Sequence, residues 1–359
     1  GYDFYHLNCI DERKWFRDSA ESGIFRPPND PINERLLLES LTQVEVLERF
    51  LHRIFPGKFR FSIEGVDVLV PMLNEIVGLS AEAEINHILL GMAHRGRLNV
   101  MHHVMNKGYK GTLIKFKDPV LDRDFRDDMG WTGDVKYHDG ARHAISNGKA
   151  IEMQITLAPN PSHLEAVNPV VEGMTRAAGT IAEKPGEPVF DPAVSLPIIV
   201  HGDAAFPGQG IVSETLNLSR LPGYSTGGTI HIITNNQLGY TTLPSDSRST
   251  LYASDLAKGF EVPIIHVNAD DPESCIEAAR IAFAYMQKFQ KDVLIDLVGY
   301  RRHGHNEADE PTFTQPEMYK KVANHPTARE IWANTLVERK ILTKEETEEI
   351  VNKFTEKLH

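Results

Sequence analysis

Apolar positions recur every three to four residues through NERLLLESLTQVEVLERFLHRIF at 33–55 and again from Val66 to Val77, which predicts two helices with one buried face each. From Ile85 the pattern changes. The runs HILLGM at 87–92, IEMQITL at 151–157, SLPIIVHG at 195–202, TIHIIT at 229–234 and DVLIDLVGY at 292–300 have the length and β-branched content of buried strands. Helical stretches separate them: GRLNVMHHVMN at 96–106, LEAVNPVVEGMTRAAGTIAE at 164–183, in which Pro169 kinks or delays the helix, and Ile211 to Arg220. Asp271-Pro272 reads as an N-cap with proline in the first turn, and Ile276, Ala279, Phe283 and Met286 then share one face. Such alternation predicts an α/β fold, a mainly parallel sheet covered by helices on both faces. Residues 1–84 form an entry segment, turning at FRPPNDP, plus helices; 85–325 form the α/β domain; 326–359 close the chain as a helical linker. Residues 110–150 are polar and weakly periodic, which suggests a long functional or mobile loop.

Composition narrows the function. The 38 Lys and Arg against 50 Asp and Glu give a net charge of −12, and no basic stripe is visible, so a nucleic-acid surface is not expected. Cys9 and Cys275 form no C-x-x-C pair, which leaves neither a disulfide framework nor a cysteine zinc site and fits a reducing compartment. No apolar run reaches the ~18 residues of a membrane span, so no membrane partner is expected.

Candidate chemistry centres on HGDAAFPGQG at 201–210 and the Asn235-Asn236 pair. Asp203 and Asn236 both leave the C-terminal ends of predicted neighbouring parallel strands, where open α/β sheets bind ligands. They offer oxygen donors of the kind Mg²⁺ takes together with phosphate oxygens, and the small residues beside them let backbone N–H groups approach an anion. Asp203 as a helix cap and the asparagines as a turn are the alternative reading. His94 and Arg95 follow the HILLGM strand and can donate charge-assisted bonds to a carboxylate or phosphate; an ion pair at a helix start is the alternative. GYSTG at 223–227 fits the serine-hydrolase pattern, but helix precedes it and strand follows, so Ser225 is rejected as a nucleophile. His303-Gly304-His305 lacks the third ligand and the partner motif that zinc requires. Neither G-x-G-x-x-G nor a P-loop occurs, so NAD and ATP have no motif support.

GDAA at 202–205 with NN at 235–236 resembles the metal-diphosphate signature of thiamine-diphosphate enzymes. GMAHRGRLNV at 91–100, GDVKYHDG at 133–140, NPSHLEAVNPVV at 160–171, HVNADDPE at 266–273 and YRRHGHNEADEPTFTQPEMY at 300–319 narrow it. Together they resemble the thiamine-dependent, decarboxylating first component of the 2-oxoglutarate dehydrogenase complex, over nearly the whole chain. The resemblance implies thiamine diphosphate and Mg²⁺ as cofactors, with Asp203, Asn236 and the Leu238 carbonyl as metal ligands. It implies that Ala204 and Ala205 line the diphosphate, that Arg95 and His303 meet anionic cofactor oxygens, and that Leu164 touches the thiamine ring. His94 and His138 become the substrate and catalytic histidines, with Ser162 touching both substrate and cofactor.

The implied partners are 2-oxoglutarate, a lipoyl-bearing succinyltransferase, dihydrolipoyl dehydrogenase and a second copy in a homodimer, within the tricarboxylic acid cycle. The implied compartment is the bacterial cytoplasm, or the mitochondrial matrix in a eukaryote. A 2-oxoadipate dehydrogenase and a catalytically silent partner-binding domain of the same fold are the rivals. In the resembled family a pyrimidine-binding domain carries the glutamate that activates the cofactor. No counterpart is found in this sequence, so a fragment or one chain of a split enzyme is expected, incomplete alone.

Overall fold

The computed structural model describes residues 1–116, 135–146, 151–182 and 185–358. Gly133 and Asp134 of the GDVKYHDG string, and much of the 110–150 region, lie outside the described residues. In chain order the strands are β1 Tyr2–Asp3, β2 His87–Met92, β3 Ala141–Ser146, β4 Ile151–Leu157, β5 Thr180–Ile181, β6 Val189–Phe190, β7 Ser195–Gly202, β8 Ile230–Asn235, β9 Ile264–Asn268 and β10 Val293–Val298. Among the described residues eight of them form one sheet in the order β1-β9-β10-β8-β7-β2-β4-β3, while β5 and β6 make a small separate ribbon. The six central strands from β9 to β4 pair in parallel. Only the edges are antiparallel, β1 on β9 and β3 on β4.

The parallel centre follows from the sequence. β8 is buried at every position and β7 at all but its last, the continuous burial of strands covered on both faces. The covering helices include Asn168–Ala178, Gly210–Leu218 and Pro272–Phe289. Pro169 falls in the first turn of Asn168–Ala178, so it delays that helix without kinking it. The Asp271 side chain accepts from Ser274 N at 3.1 Å, and Ile276, Ala279, Phe283 and Met286 are all buried. The principal core joins the sheet to Leu38, Leu41 and Leu47 of helix Glu34–Ile54 and to Trp332, Leu336 and Ile350 near the C-terminus.

Three expectations change. The stretch 110–150, expected as a loop, holds the end of helix Tyr109–Ile114 and the whole of β3, which pairs with β4. The helix expected from Val66 starts later, at Leu69–Glu82, because Gly65 takes φ 104 and Val66 N bonds Ile63 O in a turn that feeds it. The entry segment is more ordered than its pattern suggests: β1 extends the sheet and Ile10–Ser22 is helical. That helix buries only Glu12, Phe16 and Ser19, a stripe too narrow to register as apolar periodicity. Among the described residues no helix is long and apolar enough to cross a membrane.

Candidate active site

Three parallel strands deliver the site. β2 ends at Met92 and the chain turns through Ala93, His94 and Arg95 into helix Arg97–His103; Gly96, at φ 76, makes that turn. A Cβ on Gly96 would stand 2.6 Å from Ile63 Cδ1, so the turn needs glycine on two counts. β7 ends at Gly202 and presents Asp203, Ala204 and Ala205; β8 ends at Asn235 and presents Asn236. Asn236 Oδ1 accepts from Leu238 N at 3.2 Å, and Gln237 and Tyr240 adopt φ of 62 and 60. A Cβ on Gly239 would lie 2.6 Å from Ala204 Cβ, so this loop folds down onto the end of β7.

A cavity of about 390 Å³ opens there, and His94, Arg95, Leu164, Asp203, Ala204, Ala205, Asn236 and Leu238 all line it. Asp203 and Asn236 face one crevice with six other candidates, while the two asparagines also close the turn read for them, their side chains accepting from Gln237 N and Leu238 N. His201, Gln209, Tyr240, Arg301 and His305 complete much of the wall. None of these five stands out from the sequence as a site residue, although His305 belongs to the HGH string that drew attention for another reason.

Asp203 is 3% exposed, and burial pushes its carboxyl up to about 7; Asp296 adds to this while Arg248 and Arg95 oppose it. A carboxylate so poorly compensated favours a cation beside it. Arg248 Nε and Nη1 are buried without hydrogen-bond partners among the described residues, so donors near Asp203 await acceptors. Arg95 donates to Ser62 O at 3.0 Å and His305 O at 2.8 Å, which fixes its charge in the wall and ties down the loop after β10. His94 lies against Phe61, ring centroids 4.0 Å apart. Burial, then Arg95, His305 and His138, hold His94 well below the usual imidazole range. Burial with Arg95 and Arg301 likewise lowers His305, to about 4. The cavity thus brings together two imidazoles held below their usual range, two guanidiniums and one buried carboxyl.

Three candidates stand elsewhere. His138 is absent from the cavity lining; its Nδ1 lies 2.6 Å from Asn160 O, though its field reaches His94. Ser162 is exposed and also absent from the lining. His303 faces away, its Nε2 2.9 Å from Glu64 Oε2, and His305 takes the cavity position expected of it. The reason is local: Arg301 Nε and the Tyr319 hydroxyl both bond His303 O, at 3.1 and 2.7 Å, and hold that residue against the segment around Glu64. Arg97, fully buried, donates to the carbonyls of Met92 at 2.7 Å and Asp139 at 2.9 and 2.6 Å, and to that of Ala158. It thereby anchors the His138-Asp139 turn beside the cavity.

Sheet and cavity together define an α/β domain with a cavity at the C-terminal strand ends, the place where open α/β sheets take ligands. The chain belongs to the dehydrogenase E1 component family, whose model matches residues 65–359. It is 53% identical over 363 residues to the 2-oxoglutarate dehydrogenase E1 component of Geobacillus kaustophilus (strain HTA426), an alignment covering 99% of this chain and 38% of that protein. It is 52% identical to the protein of that name from Geobacillus sp. (strain WCH70), over 99% of this chain and 38% of the relative. The protein of that name from Bacillus mycoides (strain KBAB4) is 53% identical, with 99% and 37% covered. The chain thus spans well under half the length of these relatives.

Proposed function

We propose that this chain is the diphosphate- and metal-binding segment of a 2-oxoglutarate dehydrogenase E1 component. In this reading it takes thiamine diphosphate with Mg²⁺ and serves the decarboxylation of 2-oxoglutarate and transfer of the succinyl group to a lipoyl arm. The observation that carries the reading is the convergence of Asp203, Asn236 and Leu238 from adjacent parallel strand ends on one cavity that also holds His94. Asp203 and Asn236 supply side-chain oxygens and Leu238 a carbonyl for Mg²⁺, a set of hard donors suited to that ion. Ala204 and Ala205 leave backbone room for a diphosphate. When bound, the cofactor supplies the electron sink for decarboxylation.

The protein's part is charge and position. Arg95 and Arg301 attract the anionic substrate. Neutral His94 donates one hydrogen bond to a substrate oxygen, and His138 approaches from the turn that Arg97 anchors. A lipoyl-bearing succinyltransferase, dihydrolipoyl dehydrogenase and a second copy of the subunit are the proposed partners.

Calorimetry of thiamine diphosphate with Mg²⁺ against the assembled enzyme and its Asp203→Ala variant tests this reading. Binding is expected to disappear in the variant while its circular dichroism is unchanged. Equal affinity would return Asp203 to the role of a helix cap.

A further inference from the structure

The H-G-H string offers no zinc site in sequence, but the fold sets two further ligands beside His303, while His305 turns to the cavity. His52, in the last turn of helix Glu34–Ile54, and Glu307 and His303, in the loop after β10, each offer one ligand atom, and these atoms all lie within 4.8 Å of one another. His52 Nδ1 is 3.0 Å from Glu307 Oε2, and the two imidazole rings stack at 5.1 Å and 18°. Zn²⁺ bonds of about 2.0–2.2 Å in a tetrahedron put neighbouring ligand atoms roughly 3.3–3.6 Å apart, a spacing the cluster already brackets.

A second observation points to a ligand. Glu307 is 7% exposed at its side chain, and its Oε1 is buried with no hydrogen-bond partner among the described residues. A carboxylate oxygen desolvated and unpaired is costly unless a cation takes it. Its other oxygen accepts from Arg60, which also donates to Glu48 Oε2 at 2.6 Å and so fixes the carboxylate's orientation. Glu64, 2.9 Å from His303 Nε2, is an outer carboxylate of the kind that orients metal-binding imidazoles. His52, at 60% exposure, leaves one side open for entry and for a water.

We infer that His52, His303 and Glu307 form a binding site for Zn²⁺, separate from the Asp203 cavity. Two imidazoles and one carboxylate suit zinc better than Mg²⁺ or Ca²⁺, which take oxygen donors. The ion clamps helix Glu34–Ile54 to the loop that carries Arg301 and His305 into the cavity wall. The site stands on its own ligands and does not depend on the proposed reaction.

The test is titration of Zn²⁺ into the full chain with excess Mg²⁺ present, read by calorimetry and by the visible absorption of the Co²⁺-loaded protein. About one Zn²⁺ per chain is expected, with low-symmetry Co²⁺ bands. His52→Ala, a change at an exposed side chain, should weaken binding by at least about tenfold and abolish those bands without altering the circular dichroism. His303→Ala should do the same. Zinc binding equal in the wild type and both variants, or no binding to the wild type, overturns the site.

Discussion

Arg97→Lys tests how the site is anchored, using the chain alone. Arg97 is fully buried and its fork reaches three backbone carbonyls, of Met92, Asp139 and Ala158, that come from three separate segments. A lysine ammonium carries three donors on one point and cannot span the directions a guanidinium covers. At least one carbonyl loses its partner, and each buried unpaired group costs about 1–3 kcal/mol. A loss of one or two of these bonds therefore lowers stability by about 2–4 kcal/mol. In a chain of this size each kcal/mol corresponds to about 1.3 °C, so the thermal midpoint should fall by roughly 3–5 °C. Urea unfolding followed by circular dichroism should show a lower midpoint at an unchanged slope. The imidazole resonances of His138, beside the released Asp139 carbonyl, should shift as well. A midpoint within about 1 °C of the wild type, with His138 unmoved, would show that the fork is not what holds this turn.

Asp203→Asn should raise the thermal midpoint of the metal-free chain, since it removes a buried charge, and should abolish any midpoint rise on adding Mg²⁺ with thiamine diphosphate; differential scanning calorimetry reads both. Asp67 is buried and pushed up to about 8, by burial and then by Glu64, while accepting from Gly65 N at 2.8 Å. Its folded-state value lies above its unfolded value, so the folded chain holds the extra proton and this contribution to stability declines as pH rises from about 4 to about 8. Asp67→Asn keeps the acceptor and should flatten that decline by a few kcal/mol, measured by urea unfolding at pH 5 and pH 8; parallel curves would refute it. In the assembled enzyme, replacing His94 or His138 by an apolar residue should cost about 1.5–3 kcal/mol, roughly tenfold to over a hundredfold, in preference for 2-oxoglutarate over 2-oxovalerate. Equal slowing of both substrates would move the histidines from the distal carboxylate to the chemistry common to both.

Much of the fold was legible because buried parallel strands leave an unmistakable trace. SLPIIVHG and the TIHIIT run became β7 and β8 with little change of boundary, and that adjacency alone brought Asp203 to Asn236. The short strand β3 was not legible: ARHAIS alternates half-buried with exposed positions at an antiparallel edge, where propensity gives little signal. The helix Ile10–Ser22 hid for a related reason, its anchorage resting on Phe16 and on Glu12 held by the Tyr285 hydroxyl at 2.6 Å. Arg97 reads in sequence as one more cation in HRGR, and only the packing shows that its partners are carbonyls and not an anion.

The loop after β10 shows where residue type stops being informative. His303 and His305 are the same residue, two positions apart in a loop of bends and turns, so composition assigns them the same chemistry while the bent backbone sends them to opposite sides. Arg301 decides the outcome: its side chain lines the cavity while its Nε grips the His303 carbonyl. Arg95 completes the partition by taking the His305 carbonyl at 2.8 Å. One arginine from each side of the cavity thus pins the loop by its backbone, leaving His305 against Tyr240 at 4.4 Å between ring centroids and His303 against His52 and Glu64. Because both histidines ride on one pinned segment, an ion held on the outer side would act on the backbone that sets the inner wall. The cavity and the His52–His303–Glu307 cluster are therefore mechanically joined through fewer than ten residues of chain, and that coupling should appear as a change in thiamine diphosphate affinity when Zn²⁺ is added to the assembled wild-type enzyme but not to its His52→Ala variant.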